Sequence, residues 1–199
     1  MEEEKSTSVK SLFAKPLFHW WEGLEDDRAS RAVLRRCATL NAVVLSDAYQ
    51  RFYRYMLACG WPENASEWQR DKLAVIAGLL AHVKKEDTQR LPLKMSELQG
   101  DRPLVSEIRF RDLLKVETTD DLFTSLRRIL PLIDYQADIK RLANDVYGWN
   151  DDIKKEWAYS YRWPVKKSAG YCRKPLRNYI QGKTIPRFIH LHILTSYPP

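Results

Sequence analysis

Glycine is scarce in this sequence, at 7 of 199 residues. So few leave little material for the glycine-dependent turns on which hairpin-rich β architectures rely. Gly182-Lys183-Thr184 ends like a phosphate loop, but Arg177 stands where the loop needs its other glycine and Pro186 stops the helix that should follow. Cysteine is scarcer: Cys37, Cys59 and Cys172 are an odd number, far apart and without a C-x-x-C pair, which argues against a disulfide framework or a zinc site. Long apolar runs are also lacking. The longest, Leu73 to Val83, is about half of the ~20 residues a membrane span needs and reads as a buried helix. The start, Met1-Glu2-Glu3-Glu4-Lys5, is acidic where a secretory signal is basic, so a cytoplasmic protein with no membrane partner is expected and Asn64-Ala65-Ser66 is a chance sequon.

Catalytic constellations are missing too. No nucleophile elbow occurs, and Cys59 closes an apolar seam where a packed thiol is ordinary. The pairs Asp26/Asp27, Asp120/Asp121 and Asp151/Asp152 fall near helix starts, where capping and the helix dipole account for them. His190-x-His192 has no third ligand nearby, and His19 and His82 are isolated. No catalytic residue, metal or cofactor is expected, and the chain reads as something other than an enzyme.

What is present is a soluble mixture, 44% hydrophobic and 30% charged, with a formal charge of +7. Its location matters more than its size. Residues 163–199 contain Lys166, Lys167, Arg173, Lys174, Arg177, Lys183 and Arg187 and no acid, so the rest of the chain is formally neutral. Proline and glycine interrupt that stretch about every ten residues, and an extended, basic, flexible tail is expected there.

Before residue 162, apolar residues recur three and four apart almost throughout, the pattern of an all-α protein. Asp26 and Asp27 can cap a helix whose stripe is Ala29, Val33, Cys37 and Leu40. Leu45, Tyr49, Phe52 and Met56 mark a second helix, and Asn64 or Ser66 starts a third that runs to Lys84 and Lys85. Pro92, Gly100 and Pro103 break the pattern. The expected organisation is therefore two small helical bundles: an N-terminal lobe over 1–90, a connecting loop over 91–104, a C-terminal lobe over 105–162, and the tail over 163–199. In the second lobe, Val105 to Lys115 reads as a short helix, Thr118 with Asp121 as the cap of another through Leu130, and Tyr135, Ile139, Leu142, Val146 and Trp149 as one seam.

The cations of the body carry the functional signal. At 100° per residue, Arg28, Arg31 and Arg35 share a face with no acid, opposite the apolar stripe, and arginine suits bidentate phosphate contact. Arg109 lies at the edge of an apolar face, Arg111 can pair with Glu107, and Arg127-Arg128 point in different directions. Several short helices, each offering a few arginines, could line a groove that follows a phosphodiester backbone. Trp149, Trp157, Tyr49 and Tyr135 occupy seam positions, where core packing is the better reading than base stacking.

The order Arg31-Ala32-Val33-Leu34-Arg35-Arg36, then Val105-Ser106-Glu107-Ile108-Arg109-Phe110-Arg111-Asp112-Leu113-Leu114, then Asp121-Leu122-Phe123 leading to Leu126-Arg127-Arg128, and finally Trp149 before Glu156-Trp157-Ala158-Tyr159, resembles the CasB family, the small subunit of the type I-E CRISPR Cascade complex. The resemblance spans roughly residues 15 to 162. It implies a non-catalytic, two-lobed helical subunit of an RNA-guided surveillance complex in antiviral defence. It also implies two copies in that complex, contact with backbone and large subunits, and a role in holding the crRNA and the displaced single-stranded non-target DNA. The basic positions it carries over are Arg31, Arg35 and Arg36 with Arg109, Arg111, Arg127 and Arg128, to which the shared helix face adds Arg28. The tail has no counterpart in the resemblance. A helical DNA-binding transcriptional regulator is the alternative, although the segment around Val105 to Leu130 lacks the glycine expected in its turn.

Overall fold

The computed structural model describes residues 13–164. Gly182-Lys183-Thr184, His190, His192 and the expected tail from Val165 onward lie outside the described residues. Within them, helix α1 (Ala14–Gly23) is followed by α2 (Arg28–Arg36), α3 (Leu40–Val44), α4 (Asp47–Ala58) and α5 (Glu67–His82). After β1 (Lys85–Glu86) come α6 (Leu91–Met95), β2 (Leu98–Gln99), β3 (Arg102–Pro103), α7 (Glu107–Leu114) and α8 (Thr119–Ile129). A 3-10 turn (Leu130–Ile133), β4 (Gln136–Ala137), α9 (Ile139–Tyr147) and α10 (Asp151–Ser160) complete the order. The protein is all-α in class. Its strands are two-residue pairs, β1 parallel to β4 and β2 antiparallel to β3.

Helix starts follow local chemistry. The side chains of Asp27, Thr39, Ser46, Ser66, Ser106, Thr118, Asp138 and Asn150 each accept a hydrogen bond from a backbone N–H two or three residues on. A cap of this kind contributes about 1 kcal/mol. Ser66 forms a full capping box with Gln69.

Several element boundaries differ from the periodicity, and Leu45, which precedes the Ser46 cap of α4, is exposed and outside that helix. The stripe from Ala29 to Leu40 is not one helix: α2 ends at Arg36, Cys37 is extended (φ −63°, ψ 116°), and Thr39 caps α3 separately. The seam from Tyr135 to Trp149 is helical only over α9, because Asp134 and Tyr135 take left-handed conformations (φ 54° and 58°) and Asp138 is the cap. Helix α5 stops at His82, leaving Lys84 and Lys85 beyond it. The segment expected as a connecting loop contains α6 and the β2–β3 hairpin.

Helix α5 is the axis of the core. Every residue from Lys72 to Val83 is buried, which matches an apolar run without a polar face. Helices α2, α3 and α4 pack against it from one part of the chain and α8 and α9 from the other, so residues on both sides of 91–104 share one continuous core. Gly78 makes the closest approach possible. A Cβ there would stand 2.8 Å from the Phe123 ring of α8 and 3.1 Å from a Val43 methyl of α3.

Candidate nucleic-acid interface

The end of α5 is tied down by side chains from two other helices. Trp21 Nε1 donates to the Val83 carbonyl at 3.1 Å, and Arg31 Nη2 donates to the same oxygen at 2.6 Å. Arg31 Nε donates to the Ala81 carbonyl at 3.3 Å. A helix C-terminus leaves carbonyls without intrahelical partners and carries partial negative charge, so a guanidinium placed there satisfies both. Arg31 is therefore a structural residue, and burial pulls its guanidinium below its ordinary pKa. The face expected to point outward at Arg28, Arg31 and Arg35 is rotated: Ser30 and Leu34 are buried, Arg31 is half-buried and Ala29 is exposed. The expectation failed because it counted Cys37 and Leu40 into a helix that has already ended.

Holding α2 against the end of α5 creates a cleft. Ala32, Arg35 and Arg36 of α2 form one wall; Arg127 and Arg128 of α8, with Pro131 and Tyr135, form the other; His82 lies between them. The space measures about 580 Å³. No carboxylate lines it among the described residues. Among the described residues none of its four arginines enters an ion pair, whereas Arg51, Arg90, Arg111 and Arg141 each do.

Arg127 has a second task. Its Nη2 donates to the Arg35 carbonyl at 3.4 Å, joining α8 to the last turn of α2 and fixing the cleft width. Asp120, at the other end of α8, accepts from Leu40 N–H at 3.0 Å. It thus serves the first turn of α3 from across the fold. Tyr135 is fixed through its backbone: its N–H donates to the Leu130 carbonyl at 2.9 Å and its carbonyl accepts from Lys84 N–H at 2.8 Å. Lys84 Nζ stands 4.4 Å from the Tyr135 ring centroid, and the Arg35 guanidinium 5.8 Å. His82, buried, lines the same cleft as Arg35, Arg127 and the Tyr135 ring. Burial, with the charges of Arg127 and Arg35, lowers the pKa of His82 to about 4.

The structure thus brings together Arg35, Arg36, Arg127 and Arg128. It does not bring in the other four sequence-predicted residues. Arg28 is exposed at the first position of α2, outside the cleft lining, and Arg31 caps α5. Arg109 and Arg111 are exposed on α7; Arg111 is paired with Glu107 and lies 5.7 Å from the Trp163 ring centroid. His82, Lys84 and Tyr135 were missed. His82 carried no signal beyond being an isolated histidine in an apolar run, and Tyr135 was disguised by falling in phase with the α9 seam.

The class defined so far is a compact helical protein with an arginine cleft built by two helices over a buried histidine. Residues 30–161 match the family described as CRISPR-associated protein Cse2, and the chain belongs to that family, the CasB small subunits of type I-E Cascade. Two solved structures share the fold. One is a chain of E. coli Cascade bound to a PAM-containing double-stranded DNA target, with TM-score 0.56 and 21% identity over 74% of this chain and 92% of that one. The other is CasB from Thermus thermophilus, with TM-score 0.56 and 22% identity over 74% of this chain and 96% of that one. No curated protein matches the chain. No described helix is long and apolar enough to cross a membrane.

Proposed function

We propose that this protein is a non-catalytic Cascade subunit that binds nucleic-acid backbone, with the cleft of Arg35, Arg36, Arg127 and Arg128 as a principal contact. The observation that carries this reading is the cleft itself: four arginines from two helices and, among the described residues, no carboxylate in the lining and no ion pair to neutralise them. Most arginines on a protein surface mix with acids. Here the pattern leaves fixed positive charge facing open space, which attracts phosphodiester groups without reading bases. In an RNA-guided complex, base pairing supplies sequence specificity and the protein supplies a basic track.

On this reading the ligands are the crRNA and the displaced single-stranded DNA, and the protein neighbours are the backbone and large Cascade subunits and a second copy of this chain. Membership of the family supports these assignments, and so does the likeness to a chain of a DNA-bound Cascade. Arg109 and Arg111 lie on α7, outside the cleft lining, with Arg111 paired to Glu107. Charge reversal of Arg36 and Arg128 tests the cleft. It should weaken binding of a thymidine oligonucleotide and flatten the salt dependence, while the paired reversal of Arg109 and Arg111 has the smaller effect.

A further inference from the structure

The cleft has a floor as well as a rim. Arg36 and Arg128 are exposed, but His82 is only 8% exposed and Arg127 is half-buried. Among the described residues, His82 Nε2 and Arg127 Nε are buried nitrogens with no hydrogen-bond partner. Buried donors are nearly always satisfied, because one left unpaired has given up its hydrogen bonds to water without replacing them. Two such atoms on residues that line one cleft, with no carboxylate among its described lining residues, make a specific arrangement. Solvated rim arginines would bind an anion loosely from outside; these two nitrogens lack only an acceptor.

We propose that His82 and Arg127 form a seat for one oxyanion oxygen, the deepest contact of the cleft, with the Arg127 Nε–H and the His82 Nε2–H as its donors. The inference rests on the reading of the cleft as an anion site, and the expected occupant is a phosphodiester oxygen of an unpaired strand. His82 is held in place through the capped end of α5 and Arg127 through its bond to the Arg35 carbonyl.

The surroundings of His82 make the seat sensitive to protons. Arg127 and Arg35 act on it directly; Arg36, Arg128 and Tyr135 line the same space; Arg31 caps the carbonyls of Ala81 and Val83 beside it; Lys84 stands over Tyr135; and the Cys37 thiol, raised by its own burial, is near Arg127. Buried, and with the charges of Arg127 and Arg35 acting on it, the imidazole is neutral at pH 7 in the free protein. An anion in the seat favours the imidazolium, so its pKa rises on binding and binding takes up a proton. Affinity must then increase as pH falls. If the bound value returns to the ordinary 6.5 or so, affinity rises about tenfold from pH 7.5 to pH 5.5.

The experiment uses the full chain at constant ionic strength, with a thymidine oligonucleotide, whose bases and diesters do not titrate in this range, and separately with sulfate. Affinity is measured from pH 5.5 to 7.5 for wild type, His82→Gln and Arg127→Lys, and the His82 imidazole is titrated by NMR with and without each probe. The expected result is roughly tenfold tighter oligonucleotide binding by the wild type at pH 5.5, a flatter profile for both variants, and an upward move of the His82 titration on binding. The NMR arm needs no variant to fold. A wild-type profile parallel to that of His82→Gln, or a His82 titration unmoved by saturating oligonucleotide, would overturn the seat. Sulfate shifting the His82 titration while the oligonucleotide fails to bind at any pH would support the seat and instead remove the nucleic-acid reading of the cleft.

Discussion

Arg31 and Arg36 lie five residues apart on one helix and have opposite fates. Arg31 spends its donors on the carbonyls of Ala81 and Val83; Arg36 faces the cleft. Substitution therefore separates stability from binding. Arg31→Met should destabilise the fold by about 1–3 kcal/mol, since it leaves buried carbonyls at the end of α5 short of partners, and thermal unfolding measures this. Folded Arg31→Met should retain most of its oligonucleotide affinity. Arg36→Glu should show the reverse, with a melting temperature near wild type and weakened binding. His82 adds a pH signature. Its folded pKa of about 4 is below its ordinary value, so its contribution to stability is present above pH ~6.5 and is lost as pH falls toward about 4. His82→Gln should flatten that part of the stability profile in urea titrations. None of these roles was readable at the residue level. Sequence spacing places arginines on a helix face, but which member finds a carbonyl depends on a helix end some fifty residues away.

At the scale of elements, α5 shows what periodicity can and cannot convey. An apolar run preceded by Asn64 or Ser66 and followed by basic residues was enough to identify a buried helix, while the structure selects Ser66 as its cap and adds Gln69. The same logic found Thr118 for α8, because capping depends on residues three apart; the Ser106 cap of α7 obeys the same rule but is identified only in the structure. It failed where two short elements happened to be in phase. Ala29 to Leu40 spans a helix end at Cys37, and Tyr135 to Trp149 spans two left-handed residues. Neither break contains the glycine that usually marks one, so the sequence had no sign of them. The site paid for this in part, since Tyr135 enters the cleft only through that irregular backbone. Gly78 gives the element-scale test. Gly78→Ala improves intrinsic helix propensity by up to about 1 kcal/mol, yet its Cβ must displace the fully buried Phe123 ring. Net destabilisation of about 1–2 kcal/mol is expected in chemical denaturation. Any gain in stability would mean that α5 and α8 are not so closely packed.

For the molecule as a whole, charge location outweighs charge total. All of the formal +7 lies from Lys166 onward, beyond the compact unit that ends at Pro164. The neutral remainder nonetheless gathers at one cleft four arginines without an ion pair among the described residues, while acids such as Asp138 and Glu107 pair with other cations. Family membership and the all-α class were legible from the order of short basic and apolar segments. The assembly of the cleft was not, because it requires α2 and α8 to meet across α5, and no local pattern encodes that meeting. Removing residues 165–199 should therefore leave the helical fold in place by circular dichroism. It should also preserve the larger part of the salt-dependent oligonucleotide binding, despite the loss of the entire net charge.

The central claim is that the cleft, and not bulk charge, holds the nucleic-acid backbone. The salt dependence of thymidine-oligonucleotide affinity tests it most directly, compared between wild type and the Arg36→Glu/Arg128→Glu double variant. Each lost phosphate contact on a single strand lowers the slope of log K against log salt by about 0.7, so the double variant should lose roughly 1.4 from the slope while remaining folded. A folded double variant with the wild-type slope and affinity would contradict the account.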